Sequence, residues 1–391
     1  MTLHLFEAFG IELEYMIVDR DTLEVQPIAD ELLKSMTGSY SGDFENGMVT
    51  WSNELVLHLI ELKCTKPESD LAALEQSFHQ NIKQVNQILS KWNAMLLPTA
   101  AHPTMDPLLH TKLWPHDKNE IYSIYNKIFD CRGHGWANLQ STHLNLPFNG
   151  DEEFGKLHSA IRVILPLLPA LCASSTVLDG KLTEQLDARM WYYKHNQKAI
   201  PSITGSIVPE AVFTKEEYEQ EIYSKIAIDI QPHNENDILD PVWVNSRGAM
   251  ARFDRGSVEI RVMDIQECPA ADMAIQRFVI SALKKLVTVD RKNITTEALA
   301  TKLDEVVYNG MDTMVTDRDW LAVFNMKKPS SVREILGSLS DNNPVIQTIL
   351  QQGNLSTRIR KSLNGDLSKK SIHHTWQSLS KCLENNKMFT P

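Results

Sequence analysis

Apolar and polar positions alternate from Gly10 to Asp19, with Ile11, Leu13, Tyr15 and Ile17 on one side. That period of two predicts a strand with one face in a core, and it puts Glu12 and Glu14 together on the opposite face. A second apolar segment runs from Met48 to Lys63, after a turn-rich stretch from Gly38 to Gly47. Ser69-Asp70 caps a predicted helix whose apolar residues Leu71, Leu74, Phe78, Ile82, Val85, Leu89 and Trp92 step by three and four. Further strands are predicted over Met95 to Ala100, Asn138 to Leu146 (ended by Pro147 and Gly150) and Ser257 to Asp264. Helices are predicted over Glu152 to Ser174, bent at Pro166 and Pro169, and from Ala270 to about Leu286. The last hundred residues are helical in pattern, with Glu297 to Val307, Ser331 to Leu339 and Ser371 to Leu383 separated by Gly310, Pro329, Pro344 and Gly353. Strands scattered among helices at irregular intervals predict an α+β fold with a mostly antiparallel sheet. We expect residues 1–290 to form the main unit and 291–391 a helical extension packed on it.

Composition narrows the functions open to such a fold. The chain has 391 residues, 42% hydrophobic and 23% charged, with a formal net charge of -11. No basic stripe is present to neutralise phosphates, which argues against nucleic acid as partner but leaves a nucleotide ligand open. The first ten residues lack a basic region followed by an apolar run, and the longest apolar stretch, Val163 to Ala173, is too short for a bilayer. Five cysteines without close pairing (Cys64, Cys131, Cys172, Cys268 and Cys382) fit reduced thiols in the cytoplasm. There is no P-loop, no dinucleotide-binding glycine fingerprint and no Gly-x-Ser-x-Gly elbow. Cys131, His134 and His143 lack the paired spacing of a structural zinc site. The tract from Cys131 to Trp136 reads as a glycine-rich loop to which the sequence assigns no role.

Candidate chemistry comes from charged residues on strands, where glutamate is disfavoured and like charges on one face repel. Glu12 and Glu14 share a face of the first strand. Glu54 and Glu61 lie in the second apolar segment. His143 shares a face with Asn145, and Glu259 with Arg261. Taken singly, each has an ordinary explanation: an edge charge, a cross-strand ion pair, a hydrogen-bonded histidine. Together they imply a polar concavity lined by the sheet and able to hold a metal. Glu54 and Glu61 are separated by an odd number of residues, so a regular strand would send them to opposite faces. Either a bulge or bend lies between them or they belong to different segments.

In this order, the pieces resemble a known family. Gly10-Ile11-Glu12-Leu13-Glu14-Tyr15, Glu54 through Glu61 with Pro67, and Thr142-His143-Leu144-Asn145 come first. Ser174-Ser175 with Asp179-Gly180, Ala188-Arg189-Met190 and Val258 through Asp264 follow. The set extends over about two thirds of the chain and resembles the family-2 glutamate–cysteine ligases and related carboxylate-amine ligases, which share the glutamine synthetase catalytic fold. The resemblance implies a curved antiparallel sheet forming a funnel, with helices on its outer side. It implies two or three magnesium ions, with manganese as an alternative, held against ATP by Glu12, Glu14, Glu54, Glu61, His143 and Glu259. By the same likeness Arg189 and Arg261, with Glu259, are the catalytic contacts, and Glu12, Gln140 and Arg261 stand at the nucleotide.

The implied reaction activates a carboxylate as an acyl phosphate and passes it to an amine, the natural pair being the γ-carboxylate of glutamate and cysteine, as in glutathione biosynthesis. The implied partners are these small molecules, with neither nucleic acid nor membrane; a homo-oligomer is compatible. Three departures touch substrate recognition: Ser174-Ser175-Thr176 where Ser-Ser-Pro is usual, Ile121-Tyr122 for an Arg-Tyr pair, and Ala101-His102-Pro103 for Thr-His-Pro. They leave another substrate pair, or a non-catalytic nucleotide-binding relative, as alternatives.

Overall fold

The computed structural model describes residues 2–234, 237–289 and 294–391. Its strands include β1 (Gly10–Asp19), β2 (Asp43–Asn46), β3 (Val49–Asn53), β4 (Leu59–Cys64), β5 (Ala94–Leu97), β6 (Ser141–Pro147), a short hairpin of β7 (Val177–Leu178) and β8 (Lys181–Leu182), β9 (Ala249–Arg252) and β10 (Ser257–Asp264). An 8-stranded sheet runs β2-β3-β4-β1-β6-β10-β9, and β5 pairs with the far end of β1. Its pairings are antiparallel. β1 is therefore interior to the sheet, and Glu12 and Glu14 are not edge charges.

The alternation read from the sequence sets the layers. Ile11, Leu13, Tyr15 and Ile17 are fully buried in one apolar cluster with Leu74, Phe78, Ile82 and Val85. The latter come from the helix Leu71–Leu89, which Asp70 caps by accepting from the backbone N–H groups of Ala72 and Ala73. The helix Pro269–Leu286 covers the same face, and its Gln276 Nε2 donates to Thr142 Oγ1 on β6 at 2.8 Å. A run of helix bends at its prolines as predicted, from Gly150–Ile164 through the tight turn Leu165–Leu167 to Leu168–Cys172. This combined run, unlike the shorter stretch read from the sequence, is long and apolar enough to cross a membrane, but 89% of its apolar window is buried inside the protein.

One open alternative is decided and two expectations need correction. The segment from Met48 to Lys63 consists of two strands, β3 and β4, joined by residues 54–58. The apparent alternation at Leu55 and Leu57 belongs to that connection, whose backbone bonds to Lys112 and Trp114. The odd spacing of Glu54 and Glu61 is thereby explained, since they sit in different segments. The turn-rich stretch contains β2, whose polar Asp-Phe-Glu-Asn sequence on an exposed edge carries no apolar signal. The strand predicted from Asn138 begins only at Ser141, because the Asn138 side chain is taken up by the backbone of His102, accepting from its N–H at 2.6 Å and donating to its carbonyl at 3.0 Å.

Leu355, Ile359, Trp376 and Leu379 of the last hundred residues share an apolar cluster with Met16 and Val18 of β1. A fully buried ion pair, Arg358 Nη1 to Glu267 Oε1 at 2.5 Å, ties the same region to the loop after β10. The expected boundary between 290 and 291 lies outside the described residues.

Buried histidines give this fold an acid sensitivity. His158 is enclosed, with Nδ1 on the Val212 carbonyl at 2.8 Å and the ring stacked on Phe154 at 5.0 Å. Burial, helped by the charge of Arg162, pushes its pKa down to about 3. The folded protein keeps His158 neutral where the unfolded chain protonates it, so its contribution is complete above the unfolded value near 6.5 and is lost as pH falls toward 3. His158→Phe removes this linkage. We expect the stability difference between the native protein and that variant to move in the variant's favour by about 2 kcal/mol between pH 7 and pH 5. Urea unfolding at the two pH values measures it, and an unchanged difference would contradict a neutral buried ring.

Candidate active site

Strand pairing brings the acidic residues together before any side chain is considered. Across β1 and its neighbours, Glu12 stands opposite Lys63 on β4 and His143 on β6, and Glu14 stands opposite Glu61. Glu259 of β10 stands opposite Asn145, two residues beyond His143. Directly paired residues share a face, so Glu12, Glu14, Glu61, Lys63, His143, Asn145 and Glu259 all rise from the face opposite the helices.

His143 is the hub. Its Nδ1 lies 2.8 Å from Glu12 Oε2 and 3.6 Å from Glu259 Oε1, and its Nε2 lies 3.7 Å from Glu14 Oε1. Ser141 holds Glu14 through its backbone N–H at 2.6 Å and its hydroxyl at 2.8 Å, both to Oε2. Asn145 Nδ2 donates to Glu12 Oε1 at 3.1 Å, and Lys63 Nζ to Glu61 Oε2 at 2.9 Å. Glu14, Glu61 and His143 are only 9%, 7% and 4% exposed.

The electrostatics follow from burial and crowding. Burial pushes the Glu12 carboxyl up, but the His143 hydrogen bond and the charges of His143, Lys63 and Arg261 outweigh it and hold it at about 2. Burial, then the charge of Glu14, lifts Glu54 to about 7, and burial with Glu12 lifts Glu61 well above the usual carboxylate range. Burial depresses His143, yet its carboxylate neighbours raise it overall. A divalent cation would relieve the strain carried by these carboxyls. Two trios have ligand atoms all within 4.8 Å of one another, Glu12–His143–Glu259 and Glu14–Glu61–His143. A donor set dominated by carboxylate oxygens suits magnesium or manganese rather than zinc.

The two arginines differ in station. Arg261 Nε lies 3.2 Å from Glu259 Oε1, and the surrounding acidic groups and Tyr193 keep its guanidinium charged despite burial. Arg189 rises from the helix Ala188–His195, which Asp187 caps. The pairing of β10 with β6 shifts register between Ile260 and Met263, and Arg189 Nη2 donates to the carbonyls of Arg261 at 2.6 Å and Met263 at 3.2 Å. Its Nε faces buried Asp264 at 3.4 Å. Asp264 in turn accepts from the Ser174 N–H at 2.7 Å and the Ser175 hydroxyl at 2.9 Å. Arg189 thus braces the strand that carries Glu259 and Arg261, while also forming part of a cavity wall.

The cluster stands between two cavities. One, of about 800 Å³, lies at the Gly10 end of β1, with Glu12, Lys63, Lys66, Asn145, Phe148 and Arg255 among its walls. The other, of about 210 Å³, lies on the Glu14 side and is bounded by Glu14, Glu54, His143, Arg189 and Arg261. Of the residues expected from the sequence, Gln140 is not brought to the cluster. It precedes β6 on the alternation of Thr142, toward the helices, and its buried Nε2 has no partner.

Sequence reading missed Lys63, Ser141, Tyr125, Trp136 and Tyr193. Lys63 and Ser141 were legible by the period of two from Glu61 and His143. The aromatic residues come from separate helices with no such signal. The Cys131 to Trp136 tract now has a structural role. Its short helix His134–Ala137 packs against Asn196, whose Nδ2 donates to the Gly135 carbonyl, and Trp136 becomes a wall of the smaller cavity. A side chain at 135 would meet the Asn196 side chain, which would have to swing away from the Gly135 carbonyl to admit it.

A family model described as glutamate–cysteine ligase family 2 matches residues 8–328. An uncharacterized protein of Archaeoglobus fulgidus is 30% identical over 381 residues, spanning 97% of this chain and 99% of its own. Among solved structures, glutamate–cysteine ligase from Francisella tularensis in complex with AMP is similar at a TM-score of 0.62 and 14% identity, covering 98% of this chain and 90% of that one. A bifunctional glutathione synthetase from Pasteurella multocida is similar at 0.63 and 11%, covering 97% of this chain and 52% of that one. At these identities the two solved structures share the fold, an antiparallel sheet with many helices.

The carboxylate trios predict cation-linked stability. Millimolar magnesium or manganese should raise the unfolding temperature, EDTA should reverse the gain, and saturation at a hundred times Kd corresponds to about 2.7 kcal/mol. Glu61→Gln should abolish most of the shift. Identical melting curves with and without the cations would rule out this site.

Proposed function

The chain belongs to glutamate–cysteine ligase family 2, and from that premise we propose that it is an ATP- and magnesium-dependent ligase joining a carboxylate to an amine through an acyl phosphate. The observation that carries the reading is the carboxylate–histidine cluster, with Arg261, set between two cavities. The pair in the family's name, the γ-carboxylate of glutamate and the amine of cysteine, is the first to consider, with glutathione biosynthesis as its setting. The five free cysteines agree with a cytoplasmic location. Residues 1–290 would be the catalytic unit and 291–391 its helical extension.

The larger cavity suits the nucleotide. Lys63, Lys66, Lys215 and Arg255 bring positive charge to its walls, and Phe148 and Phe253 offer apolar surface. The AMP bound by the Francisella ligase supports a nucleotide site in this fold. Glu12, Glu259 and His143 would hold a cation on the nucleotide side, and Glu14, Glu61 and His143 a second on the other. Magnesium, when bound, screens the phosphate charge and orients the terminal phosphoryl group.

The chain's own residues then do three things. Arg261 meets the negative charge on the phosphoryl group in transit. The smaller cavity holds the carboxylate substrate so that its oxygen attacks the terminal phosphorus and ADP leaves. Arg189, through the Arg261 and Met263 carbonyls, fixes the strand on which Arg261 and Glu259 are aimed. The amine nitrogen next bonds to the acyl carbon, the carbon–oxygen bond to phosphate breaks, phosphate departs with the electron pair, and the nitrogen sheds a proton. The balance is one ATP consumed for one amide, ADP and phosphate.

ADP release in the presence of ATP, magnesium, glutamate and a panel of amines tests the reading, with product masses identifying the amide. We expect amine-dependent turnover. Glu14→Gln and Arg261→Ala should each lower it by at least about 100-fold, while circular dichroism and the unfolding temperature of the metal-free protein stay close to native values. Turnover with no amine in the panel, or full activity in either variant, would sink it.

A further inference from the structure

The smaller cavity adjoins a pocket of about 200 Å³. The two share Leu55, Tyr125, Trp136 and Trp243, and the pocket is completed chiefly by Ile121, Tyr122 and Leu239. Every side chain lining it is uncharged. Its aromatic wall is ordered by ring packing, with Tyr125 edge-on to Trp136 at 5.6 Å and Phe129 stacked on Trp136 at 5.4 Å. These rings are not interior packing alone. Ile121, Tyr122, Tyr125 and Trp136 are only partly buried, and Trp243 is 52% exposed. At the junction with the smaller cavity, Trp136 Nε1 and the Tyr193 hydroxyl are buried without a hydrogen-bond partner. Such groups are costly unless something supplies the missing partner.

The pocket's chemistry limits what it can receive. A charged side group would lose its hydration there with no charged side chain in the pocket's lining to replace it. A thiol leaves most of the space empty, since the volume equals that of roughly six or seven water molecules at about 30 Å³ each. An aromatic or branched aliphatic group fills it and gains from burial. The position also assigns the substrate. The carboxylate donor must present its reacting end to the Glu14–Arg261 side, where phosphate is transferred. That leaves the region beyond Trp136 and Trp243 to the component that reacts second.

Resting on the ligase reading above, we propose that this pocket seats the side group of the amine substrate and that this group is aromatic or branched aliphatic, bulkier than that of cysteine. The polar end of the same amine takes the free Trp136 and Tyr193 donors. Ile121 stands where the resemblance leads one to expect an arginine, so the substitution that removes a charge from this wall is also the one that makes it apolar.

The experiment uses the full chain with ATP, magnesium and glutamate, comparing L-phenylalanine, L-leucine, L-cysteine and L-aspartate as amines. We expect kcat/KM for phenylalanine or leucine to exceed that for cysteine and aspartate by at least about tenfold. Ile121→Arg should raise KM for the apolar amines by a similar factor and leave KM for ATP unchanged, with Ile121→Ala as a milder variant should the charge disturb folding. Quenching of tryptophan fluorescence by L-phenylalanine, saturable in the native protein and weakened in the Ile121 variants, reads the pocket without turnover. Cysteine used as well as the apolar amines, or binding and KM indifferent to both Ile121 changes, would overturn the proposal. Saturable phenylalanine binding with no ADP release from any of the four amines would instead overturn the ligase reading and retain the pocket.

Discussion

Everything at the centre of this protein depends on holding several carboxylates against their mutual repulsion. Glu12, Glu14, Glu61 and Glu259 rise from one face of β1, β4 and β10, around His143 of β6, with Glu54 entering from the β3–β4 connection. Buried like charges destabilise a fold unless cations or hydrogen bonds compensate. The compensation visible in the chain is lopsided. Lys63 serves Glu61, His143 serves Glu12, and Arg261 serves Glu259. Glu14 leans on Ser141. The shifts of Glu54 and Glu61 show the shortfall, and a divalent cation is the simplest way to supply it.

The opposite face makes that arrangement tenable. Apolar residues of β1 lock into the helices Leu71–Leu89 and Pro269–Leu286, which fixes the register on which the acidic residues depend. A slip of one residue would bury glutamates in the apolar core. Among the described residues, the pairing of β10 with β6 shifts register near the site, and the shift is heavily braced. Arg189 takes up the Arg261 and Met263 carbonyls, Asp264 answers Arg189, and Ser174 and Ser175 answer Asp264. The Ser-Ser and Ala-Arg-Met pieces of the sequence are therefore one structural unit, although fourteen residues apart.

What could be read from the sequence was what regular strands enforce. The period of two gave the shared face of Glu12 and Glu14, of His143 and Asn145, and of Glu259 and Arg261, and it flagged the odd spacing of Glu54 and Glu61 as needing an irregularity. It failed where local chemistry was not periodic. β2 is a polar edge strand with no apolar stripe, and Asn138 looked like strand because its side-chain bonds to His102 leave no trace in the sequence. Gln140 was carried to the nucleotide by resemblance, whereas alternation from Thr142 turns it toward the helices. The cavity walls at Tyr125, Trp136, Tyr193 and Trp243 were invisible for the same reason: four aromatic residues from separate helices converge only through tertiary packing.

The two cavities flanking the cluster differ in a way that orders the chemistry. The larger is edged with lysines and an arginine, as an anion with several phosphates requires, whereas the smaller passes from carboxylates and Arg261 into an uncharged aromatic pocket. On the proposed reading, an acyl phosphate formed at the boundary would have its phosphate toward the lysines and arginine and its carbon toward the uncharged pocket. Water competes with the amine for that carbon, and a bulky apolar amine excludes water from its surroundings as it binds. If the chain is the ligase proposed, uncharged walls would favour amide formation over wasteful hydrolysis, so the feature that selects the amine would also protect the intermediate it attacks.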